Sequence, residues 1–390
     1  MKKLQYLIFF SIVFSIYFAI NYYIFIRASE AILPDSLIKQ IFNCLFLFLA
    51  SSFLIGRILE RIWMSPVSYV LTWTGSFWLA AMFYFFLIVL IIDFCRLLHR
   101  LFQIYPAFIT MNHEKISTAI LITSILLVLF LLIVGHINAI NPKVKKLSID
   151  IRKSVAGLES LKVVAVSDIH LGTIIGLKRV KRLVESINRL NPDVVLLGGD
   201  VLDEDVGQVI KKNLGDCIKR INSRFGIFAV TGNHEYIGGV DNAVKYLEEH
   251  GVKCLRDNSI LVDNKFYLVG RDDRDKSRYT AKKRKLLAAL IDPLDKNNPI
   301  ILLDHQPFNL NEAEIAGVDL QFSGHTHHGQ LWPLNFITNK VYEVSWGYKK
   351  KGNTHFYVST GFGTWGPPVR IGNRPEIVQI KLNLILHPHI

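Results

Sequence analysis

Cysteine is nearly absent. Cys44, Cys95, Cys217 and Cys254 are the only four in 390 residues, and no two form a C-x-x-C pair. That argues against a disulfide framework and a zinc–thiolate motif, and it is compatible with a reducing compartment. The chain also lacks internal repeats and low-complexity linkers, so it offers no basis for a solenoid or a tethered array. Charge is the third scarcity, and it is local. Residues 1–140 hold nine Lys/Arg and five Asp/Glu, while the remaining 250 hold 36 and 27. Most of the formal net charge of +13 therefore belongs to the later, polar part.

The charge-poor part contains long apolar runs. Residues 4–26 carry no charge, long enough to cross a bilayer core, and Lys2 and Lys3 precede them. The run is too long for a signal-peptide core and no A-x-A cleavage site follows, so it reads as an uncleaved span. Further spans are expected at about 40–56, 67–92 and 116–136, the third beginning just after Pro66. With the N-terminus inside, nine Lys/Arg flank the inner ends and five the outer ends, which favours a cytoplasmic location for the polar part. Asp93, Arg96, His99 and Arg100 read as a solvated helix end, and no paired polar residues are expected within the spans. The expected division is a transmembrane region at 1–142 and a catalytic domain at 143–390.

In the polar part, short aliphatic runs alternate with helix-like stretches at 177–190, 206–221, 240–250 and 281–291. Strand-like runs occupy 163–166, 194–197, 227–230, 300–303 and 318–322, with further strands expected at 341–346, 355–360 and 377–382. Each of the first five leads into a polar cluster. In order these are Asp168-Ile169-His170, Gly199-Asp200, Gly232-Asn233-His234-Glu235, Asp304-His305 and Gly324-His325-Thr326-His327. Asp, Asn and His bind divalent metals through oxygen and imidazole nitrogen.

Each cluster taken singly has an ordinary reading. Asp168 is a turn aspartate, Gly199-Asp200 a common turn, and His305 a satisfied core histidine. Five such clusters in series at strand ends are not ordinary. They describe a site along one rim of a sheet, as metal-assisted hydrolysis requires. Alternation along a strand would send Asp168 and His170 to one side, and likewise His325 and His327, while His328 faces away. A carboxylate at Asp200 can bridge two ions. The Asn233 carbonyl oxygen is a competent hard ligand. His234 can protonate a leaving group.

The series D-x-H, G-D, G-N-H-E, H, G-H-x-H resembles the calcineurin-like metallophosphoesterase superfamily over about residues 160–385. That resemblance implies an α/β fold: a four-layer αββα metallophosphoesterase sandwich, preceded here by an all-α transmembrane region of four helices. It also implies two divalent metal ions. One would be held by Asp168, His170, Asp200 and His327, the other by Asp200, Asn233, His305 and His325, with His234 in the place of the catalytic histidine. Residues 325–331, residues 359–368 and Arg374-Pro375-Glu376 resemble the membrane-attached bacterial branch, which includes enzymes cleaving UDP-2,3-diacylglucosamine. His328 stands where that branch is expected to have glycine.

The functional expectation is a membrane-bound phosphohydrolase in a bacterial inner membrane, with attack on phosphorus by a hydroxide bridging the ions. His-rich ligation suits Mn, Fe or Zn. Residues 271–285 carry eight Lys/Arg against three Asp. They read either as a solvated face or as a contact for anionic headgroups or a substrate phosphate. With the spans so close, the expected partners are the bilayer and a phosphorylated lipid or nucleotide-linked glycolipid, and nucleic acid is disfavoured. The competing readings are a membrane-anchored phosphodiesterase for a soluble or cell-envelope substrate, and a transport or signalling protein with a regulatory domain.

Overall fold

The computed structural model describes residues 2–34, 36–204 and 206–385, with backbone alone at 2–7 and 9. Two compact units emerge: Met1–Gly135 with Gly366–Pro368, and His136–Trp365 with Val369–Ile390.

The first unit is helical. Its elements are α1 (Lys2–Ser29), α2 (Leu37–Ile62), α3 (Pro66–Phe102), the short α4 (Ala107–Met111) and the start of α5 (His113–Ile140). Four of these helices are long and apolar enough to cross a membrane. Helix α3 begins at Pro66 itself, because a proline at the first helical position gives up an N–H that would be unpaired anyway. Ser65 and Ser68 close a reciprocal capping box there. Helices α2 and α3 approach at glycine: a Cβ on Gly75 would lie 2.2 Å from the Phe53 nitrogen, and one on Gly56 would lie 2.6 Å from that of Thr72.

Paired polar residues do occur among these helices, contrary to the sequence expectation. Trp78 Nε1 donates to Asn21 Oδ1 at 3.0 Å. Helix α3 continues past Asp93 to Phe102, and Asp93 pairs with Arg27 at 2.9 Å and Arg96 at 3.1 Å. The pairing joins residues 66 positions apart, which local charge counting does not register.

The second unit is built on two six-stranded sheets. The first runs in the order β1 (Lys143–Ile151), β12 (Glu376–Leu384), β2 (Ser160–Val166), β3 (Val194–Leu197), β4 (Ile227–Ala229), β5 (Val252–Cys254). The second runs β10 (Gly347–Lys351), β11 (Thr354–Val358), β9 (Leu320–Ser323), β8 (Ile300–Leu303), β7 (Phe266–Gly270), β6 (Asn258–Val262). Strands β2–β5 are mutually parallel, as are β7, β8, β9 and β11.

Strand alternation explains the layering. Val163 and Ala165 of β2 join Leu196, Phe228, Leu303 and Phe322 in a core between the sheets. Val164 and Val166 face the other way, onto Val180, Leu183, Ile187 and Leu247 of the helices Leu177–Arg189 and Val240–Glu249. Ile300 and Leu302 likewise pack on Leu290, Ile291 and Leu310 from the helices Leu287–Ile291 and Leu310–Ala316. The order is helix, sheet, sheet, helix: the expected αββα sandwich.

Some expected elements differ. The strand expected at 341–346 is not formed; Val341 ends a helix beginning at Asn335, and the strand starts at Gly347. The helix expected at 206–221 is two pieces, Val206–Lys211 and Gly215–Ile218, parted by Asn213 in the left-handed region. Only Leu287–Ile291 of the helix expected at 281–291 forms.

Candidate metal centre

The chain leaves each parallel strand at the same rim of the sandwich, and the polar clusters sit in those exits. Strand β2 ends at Val166, so Asp168 and His170 lie in the loop beyond it. Their backbone N–H groups donate to the carbonyls of Gly199 and Asp200, both at 3.0 Å. This ties the β2 loop to the β3 loop. The strand-alternation argument is thereby corrected: the two side chains converge through a left-handed turn. Asp168, His170, Asp200, His325 and His327 all have φ between 45° and 69°. Non-glycine residues there cost of order 1–3 kcal/mol each, strain that clusters at functional sites. Gly199 and Gly324 leave no room for a side chain. A Cβ on Gly199 (φ 90°) would meet His305 Nδ1 at 2.6 Å, and one on Gly324 would meet an Asp168 carboxylate oxygen at 2.3 Å.

The seven residues expected to hold metal are brought together. Asp168, His170 and His327 form one group, and Asp200, His305 and His325 a second. Asn233 Oδ1 lies 2.9 Å from His325 Nδ1, adding it to the second. Asp200 stands between the groups, its Oδ2 3.1 Å from His305 Nε2 and 4.0 Å from His170 Nε2. His234 is also present, its Nδ1 3.3 Å from Asp203 Oδ1. His328 turns away to Ser345 Oγ at 2.8 Å, as expected. Asp304 belongs to a different network, pairing with Arg271 and Arg284.

The donor set fits divalent cations on its own evidence. The Nε2 atoms of His170 and His327 face each other at 3.2 Å. His305 Nε2 and His170 Nδ1 are both buried without a hydrogen-bond partner among the described residues, although Asp200 Oδ2 lies 3.1 Å from the former. Buried polar atoms left unpaired are costly, and a shared cation satisfies several at once. Burial pushes the Asp168 carboxyl up to about 6, with Asp200 adding to it. Burial also lowers His170 and His325 to about 3, leaving both imidazoles neutral and able to ligate. His234 is the opposite case. Burial works against its charged form, but the Asp200 and Asp203 carboxylates outweigh that and hold it at about 9. A protonated His234 is a proton donor rather than a ligand.

Three residues of the site escaped the sequence reading. Asp203, only three positions after Asp200, is the carboxylate against His234. Glu235 was visible within G-N-H-E but without a role. Its carboxylate accepts from the backbone N–H of Asp200 (3.0 Å), Leu202 (2.9 Å) and Gly232 (2.7 Å), fixing the β3 and β4 exits to one another. Arg370 is fully buried. Its Nη2 donates to the Gly363 carbonyl at 2.6 Å and to His327 Nδ1 at 3.1 Å. A neutral His327 so bonded keeps its hydrogen on Nε2. Ligation through Nε2 therefore requires that hydrogen to leave, or Arg370 to turn wholly onto the backbone carbonyls.

Comparison with known proteins agrees with this chemistry. Residues 161–329 match the family described as Calcineurin-like phosphoesterase. An uncharacterized metallophosphoesterase of Campylobacter jejuni is 31% identical across 97% of this chain and 98% of its own length. One from Aquifex aeolicus is 31% identical across 64% of this chain and 94% of its own length. A transmembrane protein with metallophosphoesterase domain from Danio rerio is 32% identical across 74% of this chain. The chain spans 67% of that protein's length, and 64% of that of a Helicobacter pylori relative.

Proposed function

From the premise that the chain belongs to the calcineurin-like metallophosphoesterase family, we propose that it is a membrane-bound, dinuclear hydrolase. Its substrate is a phosphate ester or diphosphate of a phospholipid or nucleotide-linked glycolipid. The observation that carries this reading is the convergence of Asp168, His170, Asp200, Asn233, His305, His325 and His327 in two adjoining groups, with Asp200 of the second 4.0 Å from His170 of the first. Bound divalent ions, of Mn, Fe or Zn type given the histidine content, supply Lewis-acid charge neutralisation and a more acidic water. The chain's own part is positional. Asp200 Oδ1 accepts from the His234 N–H at 2.8 Å, which leaves Oδ2 for the shared position between the groups. Glu235 holds the Asp200 backbone. Asp203 faces the His234 ring at 3.3 Å and favours its charged form, so that the ring can give a proton to the departing oxygen.

The membrane-lipid preference is supported by the four apolar helices and by the two-residue step from Ile140 to Lys143 that leads into β1. Lys/Arg placement favours a cytoplasmic catalytic unit, in a bacterial inner membrane. One observation favours the signalling or transport reading as a second: the Arg27–Asp93–Arg96 cluster, since ionised pairs within spanning helices tend to be functional.

The test uses the full chain in detergent with Mn, against a panel of phospholipids, nucleotide-linked glycolipids and soluble diesters. Asp200→Asn is expected to lose metal and hydrolysis together. His234→Gln is expected to keep metal and lose roughly 100-fold in kcat. Equal metal loss in both variants, or hydrolysis surviving Asp200→Asn, defeats the assignment.

A further inference from the structure

The basic stretch 271–285 is the one sequence feature that the metal centre does not absorb, and the structure divides it sharply. Arg271 is paired with Asp304 at 3.2 Å and Glu312 at 2.9 Å. Lys276 is paired with Asp257 and Asp272, both at 2.8 Å, Arg278 with Asp275 at 3.3 Å, and Arg284 with Asp304 at 2.9 Å. Lys282, Lys283 and Lys285 are exposed to solvent. Arg274 fits neither group. It is half-buried, and its Nη1 is buried without a hydrogen-bond partner among the described residues. A buried guanidinium N–H without a partner is costly, and unlike Arg271, Lys276, Arg278 and Arg284, each of which has a carboxylate, Arg274 has none among the described residues, which calls for a ligand.

The surroundings say where that ligand sits. The Arg274 guanidinium stacks over the Phe308 ring at 4.4 Å. Phe308 packs against Tyr342 at 4.8 Å between centroids, and Tyr342 stands 6.2 Å from the His325 ring. A continuous aromatic wall thus runs from the metal-binding histidines to one unpaired cation. The base of Arg274 is fixed as well. Its neighbour Asp273 takes both Gln306 Nε2 contacts, at 3.0 and 3.1 Å, and Gln306 follows His305 directly. Asp273 is therefore committed elsewhere. The ring holds the guanidinium in place, and once Nη1 is uncovered its N–H groups can pair with two oxygens of a phosphate or carboxylate, the geometry that arginine serves and lysine does not.

We propose that Arg274, backed by Phe308 and Tyr342, is an oxyanion subsite beside the metal centre. It takes an anionic group of the substrate other than the phosphoryl group under attack. Two aromatic rings separate it from His325, so it does not share the attacked phosphorus with the metal ligands. The subsite rests on the phosphohydrolase reading above and deepens it: the substrate carries a second negative group, a further phosphate or a carboxylate.

Three esters separate the possibilities on the full chain in detergent with Mn. Bis(p-nitrophenyl) phosphate offers a single anion, a nucleoside diphosphate ester offers a second phosphate, and glycerophosphoserine offers a carboxylate. Arg274→Met is expected to raise KM at least about tenfold for one of the two-anion esters. The same variant should move KM for the single-anion ester less than about twofold, with kcat and metal content held. The ester affected identifies the second group, and Arg274→Lys should restore only part of the loss. Equal changes on all three esters, no change on any, or loss of metal in Arg274→Met overturns the subsite. A wild-type chain that binds metal yet hydrolyses no phosphoester sinks the phosphohydrolase reading itself, and the subsite with it.

Discussion

Glu235 offers the sharpest quantitative test, because its task is countable. The side chain is 1% exposed and accepts three backbone N–H bonds, two on Oε2 and one on Oε1. Burial and the Asp200 charge raise the Glu235 carboxyl to about 7, so each bond contributes roughly 0.5–3 kcal/mol net across its neutral and charged forms, and buried donors left unmatched cost about 1–3 kcal/mol each. Water entering the vacated space and relief of carboxylate desolvation offset part of this. Glu235→Ala should then destabilise the second unit by about 3–5 kcal/mol, a large share of a typical domain stability. At roughly 2–4 °C per kcal/mol for a unit of this size, melting falls by roughly 6–20 °C. Glu235→Gln should be milder. An amide oxygen can keep the Asp200 and Gly232 bonds while its NH2 confronts only the Leu202 N–H. Thermal melting of the detergent-solubilised chain, with hydrogen exchange to assign the transition, reads the stability, and elemental analysis reads the metal. Metal content should fall in the same order, since Asp200 loses its backbone anchor. An alanine variant that melts within about 2 °C of the parent and retains its metal would refute the role assigned to Glu235.

Other perturbations test neighbouring links. Gly324→Ala forces a methyl group to within 2.3 Å of an Asp168 oxygen and 2.5 Å of Ser167 Oγ. It should cost about 1–3 kcal/mol and lower metal occupancy, and full occupancy by elemental analysis would contradict it. Asp203→Asn removes the charge facing His234 and should reduce kcat by about 10- to 100-fold at unchanged metal content. Steady-state kinetics with no loss would remove Asp203 from the mechanism. Asp93→Asn removes one of the two carboxylates that Arg27 and Arg96 share, leaving Glu30, and should destabilise the helical unit by about 1 kcal/mol in detergent melts. Hydrolysis should survive if the helices serve only as an anchor; its loss would favour the signalling or transport reading.

Much of this was legible from the chain alone, because it is local. Spans announce themselves by length and lack of charge, whatever they pack against. Strand exits were legible because β-branched runs such as Val194–Leu197 end abruptly in glycine and a ligand-type residue. The left-handed turns were not, since five non-glycine residues at positive φ are held there by cross-loop bonds such as Asp168 N–H to Gly199. Strand β1 was hidden because its partner, β12, lies more than 200 residues away; Lys143 registers with Glu376.

What the sequence settled by itself was the inventory: which donors exist, in what order, behind which strands, and that apolar helices precede them. Which atoms face one another was decided only on folding. Arg370 reaches His327 across 43 residues, Glu235 reaches Asp200 across 35, and among the described residues Arg274 has no carboxylate partner while Arg271, Lys276, Arg278 and Arg284 each have one. The physical reason is that composition and periodicity report the preference of each residue for its immediate surroundings. Charge pairing and hydrogen-bond satisfaction in a low-dielectric interior are instead properties of distances that only the closed chain defines.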